Sequence, residues 1–361
     1  MKIGFFSDTV LDSDIRISSK ILKVIEENDF NVLNLEAPFI NKKCKKIKKR
    51  INLYNHTNET AFLEKNKFKY VNLANNHIFD YGLCGYLHTR NVLNQRSIKI
   101  FGAGESYDDA LRPVAFESHS KKIGIWGMSD KRSFSIEAIK DKYGVAPLRQ
   151  KTFEHIKEKY NDFDIKVAYI HAGIEYEDFP EPYYREMYHY LIKNGYFDII
   201  IGNHSHSVQG YEKINKGLIF YSLGNFIFPQ KQYGDTKLSH YDISTVGFFL
   251  NITITDVVDF EIIPYKIEED GTFIRRLNDK ENEELDWNEK NSPFVYDFSR
   301  YRSFYKRNRN RKYVPLMKKN EYINTIIFAI FYVFERFVYL VFKKIGLLAS
   351  VKKIISKRIN R

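Results

Sequence analysis

The chain has 361 residues, 43% apolar and 28% charged, which excludes a disordered chain and leaves room for one large domain or two ordinary ones. Two cysteines, Cys44 and Cys84, exclude a disulfide framework and a cysteine-rich zinc site. The net charge of +12 is uneven: residues 300–361 carry 17 Lys/Arg against Glu321 and Glu335, so the first 299 residues carry about −3, and a nucleic-acid reading of the whole chain is excluded.

The opening MKIGFFSD fits an apolar strand over 2–7 rather than a signal peptide, which leads to an expectation of residence on the cytoplasmic side. Residues 17–25 have helical apolar spacing, and 31–35 read as a second strand. A run over 42–50, seven basic residues in nine, is a solvated loop or a rim for a polyanion. A third strand over 69–73, a helix over 83–95, a strand over 97–101, a turn at 102–104 and a hairpin pairing 114–116 with 122–126 follow. Then come helix 152–160, strand 165–170, helix 183–194 and strand 198–201, and after them strands at 218–221, 245–254 and 260–265. Alternating strands and helices followed by antiparallel strands predict an α/β sandwich with mixed sheets. The acidic, polar stretch 268–299 is a candidate linker or extension after a domain at 1–267, and the basic tail spans 300–361.

Polar residues recur where strands end: Asp8; Asn34 and Glu36; Asn75, Asn76, His77 and Asp80; His171; His204 and His206. Each alone has a bland reading, since Asp and Asn after a strand usually form turns or caps and a lone His is usually structural. The pair His204/His206 is stronger, because alternate residues on an extended backbone point the same way. Five strand ends that deliver Asp, Glu, Asn and His form a metal-site inventory, because the carboxyl ends of strands are where ligands bind in open α/β sheets. Imidazole plus carboxylate without thiolate suits Mn, Fe or Zn. Such a set exceeds the needs of one tetrahedral ion and suits two ions about 3.5–4 Å apart that activate water against a phosphoester. His88, His155 and His189 fall in helical stretches and His56, His119 and His240 in polar loops, and these take structural roles.

The segments NLEAP (34–38), NLANNHIFDYG (72–82), GAG (102–104), HAGIEYEDFP (171–180), DIIIGNHSHSVQG (198–210) and YSLGNFIF (221–228) resemble, in order and spacing, the CapA family of capsule and poly-γ-glutamate biosynthesis, a branch of the calcineurin-like metallophosphoesterases. The resemblance spans about residues 1–265 and implies a four-layer αββα sandwich. It implies Asp8, Glu36, Asn76, His171, His204 and His206 as metal ligands, with Glu36 bridging. It implies His77 as the group beside the substrate, Asp80 and Glu175 as groups that hold the imidazoles or the Asn–His loop in place, and Asn225 as an additional site residue. One departure stands out: the usual Asp-x-His motif has Val10 at its third position, so one imidazole is missing and a second ion would bind weakly.

The most apolar window, 322–342, is long enough to span a bilayer, but Glu335 and Arg336 interrupt it at about 3 kcal/mol each. Basic clusters on both sides suit a helix lying on an anionic membrane surface. These readings lead to the expectation of a metal-dependent phosphoesterase-like hydrolase in capsule or surface-polymer biosynthesis, peripheral at the inner membrane face and acting on an anionic phosphorylated or polymeric substrate. A non-catalytic metal-stabilised scaffold of a polymer synthesis or export complex is the alternative, and an amide or ester hydrolase acting on a glutamate polymer is the third reading. Nucleic acid is disfavoured as a partner, because the tail's aromatics sit in an apolar run rather than interleaved with basic residues.

Overall fold

Two β-sheets carry the fold in the computed structural model, which describes residues 1–309 apart from 50, 119, 234, 235, 238–241, 269 and 270. In chain order the strands are β1 (Lys2–Thr9), β2 (Arg16–Ile17), β3 (Phe30–Leu35), β4 (Phe68–Asn72) and β5 (Lys99–Phe101). Next come β6 (Val114–Ser118), β7 (Lys121–Ser129), β8 (Ile165–His171), β9 (Ile199–Asn203), β10 (Tyr211–Ile214) and β11 (Gly217–Phe220). Last are β12 (Asn225–Ile227), β13 (Val246–Ile254), β14 (Val258–Glu268) and β15 (Phe273–Arg276). The first sheet has the order β2-β15-β14-β13-β1-β3-β4-β5, with β12 also paired to β1; the second has the order β10-β11-β9-β8-β7-β6. Both are mixed. Strands β1, β3, β4 and β5 run parallel, as do β7, β8, β9 and β11, while β13, β14 and β15 add antiparallel.

The layers follow from the two-residue period of the strands. Phe5 and Val32 face the second sheet and pack with Ile125, Tyr169, Ile201 and Phe220. Their neighbours Phe6 and Leu33 face the other way, onto Ile21 and Ile25 of helix α1 (Ser19–Glu26), Leu63 of α2 (Ala61–Lys65) and Val92 of α3 (Gly82–Asn94). Likewise Ile200, between Ile199 and Ile201, turns outward to helices α4 (Gln150–Lys159) and α5 (Pro182–Lys193) with Trp126, Ile156 and Leu191. Sheets apolar on both faces must be covered on both faces. The result is the four-layer αββα sandwich, with about 1.5–3 kcal/mol gained for each large apolar side chain fully buried.

Two expectations shift. The helix expected over 17–25 begins at Ser19, because Ile17 pairs with Ile274 at the sheet edge. The polar stretch 268–299 contributes β15 to the first sheet, and the residues after it pack back on α5. There Arg185, almost fully buried, pairs with both carboxylate oxygens of Glu212 and donates to the carbonyls of Phe294 and Tyr296. Helix α6 (Phe298–Asn308) follows, and its Tyr301 hydroxyl donates to the Pro180 carbonyl. The apolar window 322–342 and the rest of 310–361 lie outside the described residues, as do His119 and His240.

Candidate metal centre

Strand register brings the predicted residues to one end of both sheets. Asp8 on β1 is the Cα partner of Asn34 on β3, and across the second sheet Ser129, His171 and Asn203 stand level. Parallel strands thus present Asp8 and His171 from facing sheets at the same height, and Glu36, Asn76, His204 and His206 enter on the loops that follow. Asn34 stitches the sheets together: its side-chain amide donates to Asp8 Oδ1 at 2.7 Å and lies 3.2 Å from His171 Nδ1, while its oxygen accepts from Asn72 at 3.0 Å.

Around His171 Nε2 the donors crowd. Asn76 Oδ1 lies 2.9 Å away, His204 Nδ1 3.1 Å and Glu36 Oε1 3.6 Å. Two ligands bound at about 2.1 Å to one ion sit roughly 3.0–3.4 Å apart. The His204 spacing falls inside that range and the other two lie close to either side of it, as donors around a shared cation would. Two imidazole nitrogens at 3.1 Å can otherwise only share a proton. A proton on His171 Nδ1, facing Asp8 Oδ1 at 3.4 Å, leaves the Nε2 lone pair toward this cluster.

A second cluster joins Asp8, Glu36 and His206. His206 Nδ1 lies 2.8 Å from Asn225 Oδ1, so an Nδ1–H donated there leaves Nε2 free, 3.8 Å from Glu36 Oε1. Asn225 therefore lies in the site as the residue that orients His206. Glu36 stands between the two clusters, is fully buried, and neither of its oxygens has a hydrogen-bond partner. An unpaired buried carboxylate costs several kcal/mol. That orphaned group, set among imidazole lone pairs, is the test the residues pass: the donor set fits divalent cations.

The electrostatics agree. Burial, then the charges of Asp8 and Glu175, push the Glu36 carboxyl well above the usual range. For Asp8, burial pushes upward, but His171, His206 and the His204 amide together outweigh it and hold its carboxyl below the usual range. The His204 N–H donates to Asp8 Oδ2 at 2.9 Å. Burial and the neighbouring imidazoles hold His204 well below the ordinary histidine value, so its lone pair is available near neutral pH. The metal-free pocket thus resists a second negative charge, which a cation would compensate.

The two late histidines meet for a different reason than expected. Strand β9 ends at Asn203, and His204 and His206 adopt φ of 89° and 54°, left-handed values uncommon outside glycine. A tight loop aims both rings inward, rather than strand alternation. Such strained positions concentrate at functional sites.

Beside the clusters, His77 Nδ1 lies 2.6 Å from Asp80 Oδ2, and Asp80 also accepts from the Leu53 amide at 2.8 Å. Burial lowers the His77 pKa, with Asp80 opposing. Lys49 completes this corner. Its Nζ donates to Asp80 Oδ1 and to the Asn76 carbonyl, both at 2.8 Å, and sits 3.2 Å from His77 Nδ1. The sequence placed the basic run near the site but could not choose among its lysines; Lys42, Lys43, Lys45, Lys46 and Lys48 are exposed. The same loop is joined to helix α3 by a Cys44–Cys84 disulfide, which residue counting did not anticipate. Glu175 lies with His204 and His206, its carboxylate within ligand reach of both. His88, His155 and His189 lie on α3, α4 and α5, and among the described residues none joins the clusters that could hold an ion. Val10, fully buried, packs with Ala37, Leu53 and Phe228 and offers no nitrogen.

The family described as "Bacterial capsule synthesis protein PGA_cap" matches residues 13–230. The PGA biosynthesis protein CapA of Bacillus subtilis (strain 168) is 28% identical over 325 residues, covering 82% of this chain and 84% of that protein. The capsule biosynthesis protein CapA of Bacillus anthracis is 28% identical over 253 residues, covering 68% of this chain and 60% of that protein. The solved structure of Haemophilus influenzae NAD nucleotidase aligns with a TM-score of 0.42 and 13% identity, over 85% of this chain and 66% of that one. The family match spans 218 of 361 residues and takes in every site residue except Asp8, so this chain belongs to the bacterial capsule synthesis (PGA_cap) family.

Proposed function

We propose that this chain is a divalent-metal-dependent hydrolase of phosphoester bonds that serves the making of a bacterial surface polymer, as the names of its relatives suggest. One observation carries the reading: Glu36, fully buried with both oxygens unpartnered, between two groups of converging nitrogen and oxygen donors. Divalent cations in such a setting act as Lewis acids and lower the pKa of water. The chain's own residues do the rest. Asp8, Glu36, Asn76, His171, His204 and His206 would hold the ions. Asn34 holds Asp8 in place, and Asn225 fixes the His206 ring. His77, its Nδ1 proton on Asp80, keeps its other nitrogen free to exchange a proton with a leaving oxygen. An incoming phosphate anion favours the protonated ring, and Lys49 steadies the loop that carries it.

The scaffold reading keeps one observation of its own: the position that would supply another imidazole is Val10, buried among apolar groups. A membrane surface, engaged through the basic tail, and an anionic polymer or its phosphorylated precursor are the proposed partners. Among the described residues no helix is long and apolar enough to cross a membrane. The Cys44–Cys84 bond is of a kind oxidising compartments preserve, which weighs against the cytoplasmic side.

The test strips the full chain with EDTA, reloads it with Mn, Fe or Zn ions, and assays generic phosphomonoesters, phosphodiesters and γ-glutamyl amides. Metal-restored phosphoester hydrolysis that His204→Ala abolishes is the expected result. Metal binding with no turnover of any of these would move the reading to the scaffold, and γ-glutamyl cleavage alone to an amidase.

A further inference from the structure

The two donor clusters are unequal. Around His171 Nε2, four residues converge: His171, His204, Asn76 and Glu36. The other cluster has only Asp8, the shared Glu36 and His206, because Val10 points into an apolar cluster. Glu175 stands beside that shorter set. Its carboxylate oxygen and the ring nitrogens of His204 and His206 all lie within 4.8 Å of one another.

Its position is held from several directions. The Tyr176 amide donates to the Ser205 carbonyl, between the two histidines, at 2.6 Å. The Glu177 carbonyl accepts from the Ser207 hydroxyl at 2.6 Å and from the Gln209 side chain at 2.9 Å. Tyr176 adopts φ 61° and rests its ring against His206, with centroids 5.8 Å apart. The turn bearing Glu175 is thus fastened to the loop bearing His204 and His206. Among the described residues no hydrogen bond or ion pair engages the Glu175 carboxylate, while the orphaned Glu36 carboxylate lies close enough to repel it. Two carboxyl groups that share one pocket, neither with a hydrogen-bond partner among the described residues, favour a cation there.

We infer that Glu175 is itself a ligand of a second cation, completing with Asp8, Glu36 and His206 the coordination that Val10 leaves short. The inference rests on the metal-dependent reading above and deepens it. Its chemical consequence is a harder second position. Three carboxylates and one imidazole suit Mn(II) better than Zn(II), whereas the set around His171, richer in nitrogen, suits either.

The experiment uses the full chain, stripped with EDTA and titrated with Mn(II) or Zn(II) by calorimetry, with elemental analysis after desalting and electron paramagnetic resonance of the Mn-loaded protein. The wild type should take two Mn(II) per chain and show the spectrum of a coupled pair. Glu175→Gln should keep one ion, lose the coupling and bind the second at least tenfold more weakly, while its metal-free form melts as the wild type does. If that variant fails to fold, Glu175→Asp serves: it should retain two ions with only the second weakened. A Glu175→Gln protein that keeps two ions with unchanged affinity overturns the inference. So does a wild type that takes one ion which Glu175→Gln holds equally well, and both results leave the metal-dependent reading standing. A wild type that binds neither metal defeats that reading and this inference with it.

Discussion

Replacing Glu36 with Gln separates the site's charge from its shape. The two side chains are nearly isosteric, so packing around this fully buried position is retained. In the metal-free protein Glu36, buried with both oxygens unpartnered, must either hold a proton or carry an unpaired charge, a cost of about 1–3 kcal/mol that the neutral amide avoids. The metal-free variant should therefore melt at or above the wild type. Unfolding entropy near 2.1 cal/mol/K per residue gives about 0.65 kcal/mol/K for a unit of this size, so 2 kcal/mol corresponds to about 3 °C. With a cation at 100 times its Kd the order reverses. The wild type gains about 2.7 kcal/mol, about 4 °C, and the variant, lacking the shared negative ligand, gains less than half of that. The pH dependence has a definite sign. Because the Glu36 carboxyl is raised on folding, the folded metal-free protein holds a proton that the unfolded chain has released above about pH 4.3. Metal-free wild type should lose stability as pH rises from there toward the raised value, and the variant should not show that loss. Calorimetric melts of both proteins across pH, with and without Mn(II), give the answer. Equal cation-induced shifts in the two proteins would refute the reasoning, as would a metal-free variant several degrees less stable than the wild type.

Other outcomes follow from neighbouring residues. His77→Ala should slow phosphoester hydrolysis by about 10²–10⁴-fold and leave metal content unchanged, since His77 is outside the converging donors; loss of metal would reassign it. Lys49→Met leaves the nearly inaccessible Asp80 without one donor and should lower stability by about 1–3 kcal/mol, read as a drop of a few degrees in Tm, with slower hydrolysis. Cys84→Ser removes a cross-link between residues 40 apart in sequence, worth about 4 kcal/mol. Reducing agent should lower the wild-type Tm by about 6 °C and leave the variant where it is. A wild-type melt indifferent to reducing agent would count against the bond.

Much of this molecule was legible locally. Apolar runs such as Ile199, Ile200 and Ile201, bounded by polar residues, mark strands buried on both faces, and chemistry-bearing residues stand at the strand ends because a parallel sheet exposes only those ends to a ligand. The motifs around Glu36, Asn76 and His204 could be read without coordinates for the same reason. What lay beyond the sequence were pairings across long separations. Ile17 left its helix for Ile274, and Cys44 found Cys84. Lys49, one lysine in a run, reached Asp80. The resemblance already set Glu175 among the groups that hold the imidazoles or the Asn–His loop; that it meets His204 and His206 was decided by the left-handed Tyr176, whose amide bonds the Ser205 carbonyl. Periodicity is set by how a few neighbouring side chains divide between core and water, and sequence records that directly. Which of several equivalent charges enters a buried site is decided by register and loop closure among distant segments, and only the folded chain fixes those.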